Sequence, residues 1–125
     1  MMNTPLEELF ERQKKNQEHM LRSGLYNDYV DMLTRTKDLP FDFPPLCSYH
    51  VQQLVSEIGE VLDADKRWKN FRNTKFEPEA KLEEIADCFI VLMNVAMFSG
   101  FTGEQLAKAI ADKITTVEGR ISSNE

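Results

Sequence analysis

The chain has 125 residues, 42% of them hydrophobic and 29% charged, and carries a net charge of −6. Those values suit one ordinary globular domain spanning 1–125 and exclude a disordered chain. The acidic surplus excludes a general binder of DNA, RNA or anionic membranes, which needs a basic surface. A small phosphorylated ligand, needing only a local group of Lys and Arg, stays open. Cys47 and Cys88 form neither a CxxC pair nor a zinc spacing. Cys88 lies in an apolar run and reads as a buried free thiol. The N-terminal MMNTPLEELFERQKK has no apolar core of a signal peptide. The longest uncharged run, Cys88 to Gly103, falls short of the roughly 20 residues a membrane span needs. The expected location is cytoplasmic.

Glycine and proline are sparse, five each, and short alternating runs are few, which favours helices over a sheet. The first helix is expected to start with Thr4 as cap, Pro5 in the first turn and Glu7 completing a capping box. Leu6, Leu9, Phe10, Gln13 and Gln17 carry it at helical spacing to about Leu21, with Gly24 as the stop. A shorter piece spans about Tyr26 to Thr36. DLPFDFPPL (Asp38 to Leu46) then breaks helical structure with three prolines, as an ordered connector whose Phe41, Phe43 and Leu46 want burial.

Ser48 is expected to cap a helix from about Tyr49 to Phe71, with Val51, Leu54, Val55, Ile58, Val61 and Leu62 as its core stripe. RNTKFEP is a loop, and Pro78 opens a helix running to about Phe98. SGFTG is a turn, and Thr102 with Gln105 forms another capping box. The last helix reaches about Arg120, with Leu106, Ile110, Ile114 and Val117 facing inward and ISSNE as a frayed tail. The predicted fold is all-α, an antiparallel bundle of four to five helices. Residues 1–45 form a helical extension and connector, and 48–120 form the core motif region. Phe89 to Phe98 is apolar on nearly every side, so its helix is expected to be central and also covered in a subunit interface.

Glu84 and Asp87 open that apolar helix. Three residues apart, they point roughly 60° from one another. SEIGEVLDADKRW repeats the device with Glu57 and Glu60. Either pair alone is ordinary helix composition. Two pairs on consecutive helices joined by a short loop can converge across the groove between them. Carboxylates about 4 Å apart repel by about 4 kcal/mol per pair at an effective dielectric near 20. A divalent cation relieves that repulsion, and all-oxygen ligation points to Mg²⁺ or Mn²⁺.

Glu57-Ile-Gly-Glu60, 23 residues, then Glu84-Ile-Ala-Asp87 resembles the ExxE…ExxD signature of the all-α nucleoside triphosphate pyrophosphohydrolases. These include MazG-like proteins, dimeric dUTPases, dCTP pyrophosphatases and phosphoribosyl-ATP pyrophosphohydrolases. The resemblance covers about Ser48 to Arg120. It implies a MazG-like bundle completed by oligomerisation, as a homodimer or homotetramer. It also implies Mg²⁺-dependent cleavage of a nucleoside triphosphate between the α and β phosphates, in the service of nucleotide-pool housecleaning. Glu57, Glu60, Glu84 and Asp87 would be the metal ligands, with Glu60 as the carboxylate that accepts the water's proton.

Under that resemblance Lys66, Arg67, Lys69, Arg72 and Lys75, clustered after the first motif, are candidate phosphate contacts. Lys113 and Arg120 match spaced basic residues on the last helix of many MazG-like chains; all of these also read as solvated surface. Trp68 could stack on a base or pack in a core or interface. Asn94, an amide inside an apolar run, could read a base edge or bond to a neighbouring helix. His19 and His50 show no partner pattern. Two positions depart from many MazG-like chains: Ser56 stands where an extra acid is common, and Glu83 where a lysine is common, with Lys81 as a partial substitute. The alternatives are a phosphoribosyl-nucleotide hydrolase of the same superfamily and a non-catalytic helical nucleotide-binding or interaction protein.

Overall fold

The computed structural model describes residues 5–34, 41–69 and 75–124. Among them lie five α-helices and one 3₁₀ turn, with no strand beyond an isolated bridge between Asp42 and Ser99. The all-α expectation therefore holds.

Helix α1 (Leu6–Ser23) starts from Pro5, whose extended backbone occupies the cap position. The expected cap, Thr4, lies outside the described residues. Gly24 ends the helix in the left-handed region, φ 65°, and its N–H reaches Met20 O. Helix α2 (Asp28–Thr34) begins two residues later than expected. Asn27 is its cap: the Asn27 Oδ1 accepts from Val30 N at 3.1 Å. The expected end at Thr36 lies outside the described residues, as do Asp38, Leu39 and Pro40 of the connector.

Helix α3 (Pro44–Ala64) corrects two expectations. Pro44 and Pro45 open this helix instead of breaking it, because the first turn needs no amide hydrogen and suits proline's φ. Ser48 is thus inside the helix and not its cap. The helix also stops at Ala64, well short of Phe71, itself outside the described residues. Asp65 leaves helical geometry to cap the 3₁₀ turn Lys66–Trp68, accepting from Arg67 N.

Helix α4 (Pro78–Phe98) starts at Pro78 as expected. Gly100, φ 87°, makes the following turn. Helix α5 (Gly103–Ser123) opens with the expected capping box: Gln105 N donates to Thr102 Oγ1, and Thr102 N donates to Gln105 Oε1. It continues helical through Ser123, so the Ile121–Ser123 segment is not a frayed tail.

Helices α3 and α4 form the main antiparallel pair. Cys47 Sγ approaches Val95 O at one end, and Asp65 bonds Lys81 at the other. Helix α1 lies across α4, and α5 leans on α1 and does not run alongside α3 or α4. Gly103 makes the α1–α5 approach possible: a Cβ there would come within 2.9 Å of Phe10 Cβ. The core, built on Phe10, Val30, Leu46, Met93, Met97 and Phe98, sits at the end of the pair where α3 begins and α4 ends. Leu46 is fully buried, and Phe41 and Phe43 pack against that core, as their sequence suggested.

The expected core stripe of α3 is the largest correction. Val51, Val55, Ile58 and Leu62 are each between 44% and 68% exposed. On α5, Leu106 packs against the core, but Ile110, Ile114 and Val117 face outward, and so does Ile121. Helix α4 is central through Val91, Met93, Asn94, Met97 and Phe98, yet exposes Leu82, Phe89, Ile90 and Leu92.

Candidate metal centre

Antiparallel packing of α3 and α4 brings the two acidic pairs together. Each of Glu57, Glu60 and Glu84 offers a carboxylate oxygen within 4.8 Å of the others. Asp87 adds its charge from one turn further along α4, raising the Glu57 and Glu84 carboxyls.

Burial comes first among the causes that push Glu57 above the ordinary carboxylate range, followed by the charges of Glu60 and Asp87. Glu84 is pushed up by burial, then by its contact with Glu60, then by the surrounding charges. Glu60, the exposed member, is thus the carboxyl both others lean on. When all are ionised no donor among the described residues serves the cluster, and Glu84 Oε2 is buried without a hydrogen-bond partner among them. A proton shared with Glu60 or a cation would satisfy it. Cys88, on the same helix, is a half-buried thiol pushed up first by burial and then by the four carboxylates. It is neither fully buried nor poised as a thiolate.

Beyond the acids, toward the end of α3, lies a cationic zone. Arg67 pairs with Asp65 through two hydrogen bonds of 2.8 and 2.9 Å, and Lys81 Nζ reaches Asp65 Oδ2 at 2.9 Å. The guanidinium also stacks 3.5 Å over Phe76. Asp65, 7% exposed, is held well below the usual carboxylate range, first by the Arg67 hydrogen bond and then by Lys81. Sequence reading missed this clamp, although an acid flanked by Lys66 and Arg67 at a helix end was its signal. Lys81 is spent there and does not substitute for the lysine expected at Glu83. Lys66 and Lys69 form no ion pair with a described residue; Lys69 lies near its neighbour Trp68, 5.3 Å from the ring.

Trp68 is 58% exposed and donates its indole N–H to Leu62 O. Arg72 lies outside the described residues. Lys113 and Arg120 are exposed on α5, which a single chain does not bring alongside the acids.

On the opposite side of the acids, toward the core, a cavity of about 320 Å³ opens among α1, α3 and α4. Asn94 lines it, 3% exposed, with its Oδ1 accepting from Gln13 Nε2 at 3.0 Å. The neighbouring-helix reading of Asn94 is therefore realised. Gln17 and His50 are buried beside it. Tyr26 OH joins them, bonding Gln17 Oε1 and lying 3.2 Å from His50 Nε2, while His50 Nδ1 meets Gln53 Oε1 at 3.2 Å. Burial lowers the His50 pKa to about 4, so the ring is neutral near pH 7. This network was missed from sequence except for one signal: Gln13 and Gln17 stand at core spacing on α1, where apolar residues are the rule.

Set against protein-family models, curated proteins and solved structures, the chain finds no match.

Proposed function

We propose that this protein is a Mg²⁺-dependent nucleoside triphosphate pyrophosphohydrolase that releases a nucleoside monophosphate and pyrophosphate, with Mn²⁺ as an alternative ion. The observation that carries the reading is the buried, unpartnered Glu84 Oε2 inside a cluster of carboxylates on two packed helices. The donor set is all oxygen, which suits a hard divalent cation. Glu57, Glu60, Glu84 and Asp87 are the proposed ligands. A bound divalent cation supplies charge neutralisation for the triphosphate and a water of lowered pKa.

Glu60 is the proposed proton acceptor, being the exposed carboxyl in contact with two others. Lys66 and Lys69 are the proposed phosphate contacts of the same chain, since Arg67 and Lys81 are engaged by Asp65. Contacts from Lys113 and Arg120 would have to come from another copy, because α5 packs chiefly on α1 and does not run along α3 or α4.

The proposed active form is a homodimer or homotetramer. Its support is the unpartnered apolar stripes of α3 and α5. No helix among the described residues is long and apolar enough to cross a membrane.

The experiment is pyrophosphate release from a panel of ribo- and deoxyribonucleoside triphosphates, with Mg²⁺ and with chelator, beside Glu60→Gln and Asp87→Asn. The expected result is Mg²⁺-dependent release that falls at least roughly a hundredfold in both variants while helicity is unchanged. Near-full activity in either variant would overturn the four-acid site. Silence toward every triphosphate would overturn the reaction.

A further inference from the structure

The α3–α4 pair is held differently at its two ends. Where α3 begins and α4 ends, Leu46 meets Met93, Met97 and Phe98 in the apolar core. Toward the other end stand the carboxylates of Glu57, Glu60 and Glu84. From Val51 to Ala64 on α3, and from Pro78 to Ile90 on α4, no residue is buried. The buried residue at that end is an acid: Asp65, directly after α3 and 7% exposed.

The acids push the two helices apart. Glu57 and Glu60 lie on α3, and Glu84 and Asp87 on α4, so each charge repels those facing it. Apolar burial opposes this weakly where no side chain is fully covered. Lys81 is what crosses the gap there. Its Nζ reaches Asp65 Oδ2 at 2.9 Å, and among the described residues this is the one ion pair joining α4 to the end of α3. Lys81 stands three residues before Glu84, about 4.5 Å along the helix axis. The tie therefore sits beside the acids.

Both partners of the tie are fixed in place. Asp65 accepts from the Arg67 backbone N–H at 3.2 Å and from its guanidinium at 2.8 and 2.9 Å. Arg67 lies 3.5 Å over the Phe76 ring, just ahead of α4, and Lys81 Nζ lies 5.8 Å from the same ring. A buried carboxylate bonded on several sides has a defined geometry. The pair Lys108–Asp112, with side chains 74% and 65% exposed, shows the contrast. It is an ordinary solvated pair that holds nothing together.

We infer that Lys81, acting through Asp65, is a positioning residue that ties α4 to the end of α3 and holds the facing carboxylates of Glu57, Glu60, Glu84 and Asp87 together against their own repulsion, set for a divalent cation. The inference deepens the metal reading above. It gives Lys81 a task other than meeting phosphate, and it explains a buried acid that lies outside both acidic pairs.

The first arm of the test needs no metal. The stabilisation brought by Glu84→Gln is measured by urea unfolding in chelator at pH 8, in the parent and in Lys81→Met. The tie makes the parent bear the repulsion, whereas an untied pair opens and relieves it. The gain from Glu84→Gln is therefore expected to be at least roughly halved in Lys81→Met. An equal gain would make Lys81 independent of the acids, and a larger gain would make it a screening charge only. Either overturns the inference. Asp65 keeps Arg67 in this variant, so no buried charge is orphaned and the chain is expected to fold. If it does not, Lys81→Gln repeats the cycle.

The second arm uses Mn²⁺ alone, with the free ion followed by electron paramagnetic resonance. Lys81→Met removes a cation from beside the acids, so charge alone would tighten binding. Loss of the tie is expected to weaken it by at least roughly tenfold. Lys81→Arg, which keeps the pair, is expected to restore it. Binding in Lys81→Met as tight as in the parent, or tighter, overturns the inference. A parent that binds no Mn²⁺ overturns the metal reading instead, and the first arm then decides the tie by itself.

Discussion

Gln13 Nε2 donates to Asn94 Oδ1 at 3.0 Å, joining α1 to the middle of α4 across 81 positions of sequence. The bond satisfies an amide oxygen that would otherwise be buried in an apolar helix. Gln13→Leu is therefore expected to destabilise the protein by about 1–3 kcal/mol, the cost of an orphaned buried acceptor. Urea unfolding measures it. The double variant Gln13→Leu, Asn94→Leu is expected to recover part of that loss, since replacing both partners removes the orphan.

The carboxylate cluster sets a pH dependence whose sign can be worked out. The folded-state carboxyls of Glu57 and Glu84 lie above their ordinary value. The native chain therefore binds more protons than the unfolded chain in the window above the ordinary carboxylate range. Their contribution to stability is greatest at low pH and is lost as pH rises through the raised values. Glu84→Gln is thus expected to raise the melting temperature of the metal-free protein at pH 8, with the gain shrinking as the pH falls. Mg²⁺ is expected to stabilise the parent protein more than the variant. Thermal melts in chelator and in Mg²⁺ over a pH series check both.

His50 works in the opposite direction. Its pKa is lowered to about 4 from an ordinary 6.5, chiefly by burial. The unfolded chain takes up the proton first, so this group's stabilisation is present above pH 6.5 and is lost as the pH falls toward 4. His50→Phe, which keeps a ring to stack on Phe98, is expected to flatten that part of the acid limb. Stability measured from pH 4 to 7 reads the difference directly.

Gly103 fits closely against α1. An added Cβ would meet Phe10 Cβ at 2.9 Å, Phe10 Cγ at 3.1 Å and Glu7 O at 3.2 Å. Phe10 is fully buried and cannot swing aside freely. Gly103→Ala is expected to cost about 1–3 kcal/mol by overpacking, despite alanine's higher helix propensity. Gly119→Ala, with open space around it, is the control and is expected to stabilise slightly. Denaturant midpoints compare the two.

The outward stripe of α3 predicts assembly. Val55 and Ile58 are 68% and 51% exposed in the single chain. Val55→Glu with Ile58→Lys is expected to shift the protein from an oligomer to a monomer, read by light scattering on a sizing column. An unchanged mass would mean that this stripe is not the interface.

Much of the chain's local structure was determined by its sequence alone. Pro78 at a helix start, Gly24 as a left-handed stop and the Thr102–Gln105 capping box depend on neighbours a few residues away, and each formed as read. The pairing of Glu57 and Glu60 with Glu84 was also legible, because two acidic pairs on antiparallel helices leave few ways to avoid one another. Other features depended on context that spacing does not carry. Pro44 and Pro45 open α3 because they fall in its first turn, whereas the same residues inside a helix would have broken it. An apolar stripe marks a face that avoids water, but not whether this chain or another covers it; α3 and α5 leave theirs open. Lys81 and Arg67 looked like available charge until packing brought Asp65 between them. The amide-lined cavity needed three helices from distant parts of the chain to meet. Only the tertiary structure decided which polar groups Gln13, His50 and Asn94 would find there, because hydrogen bonds across such separations leave no periodic trace.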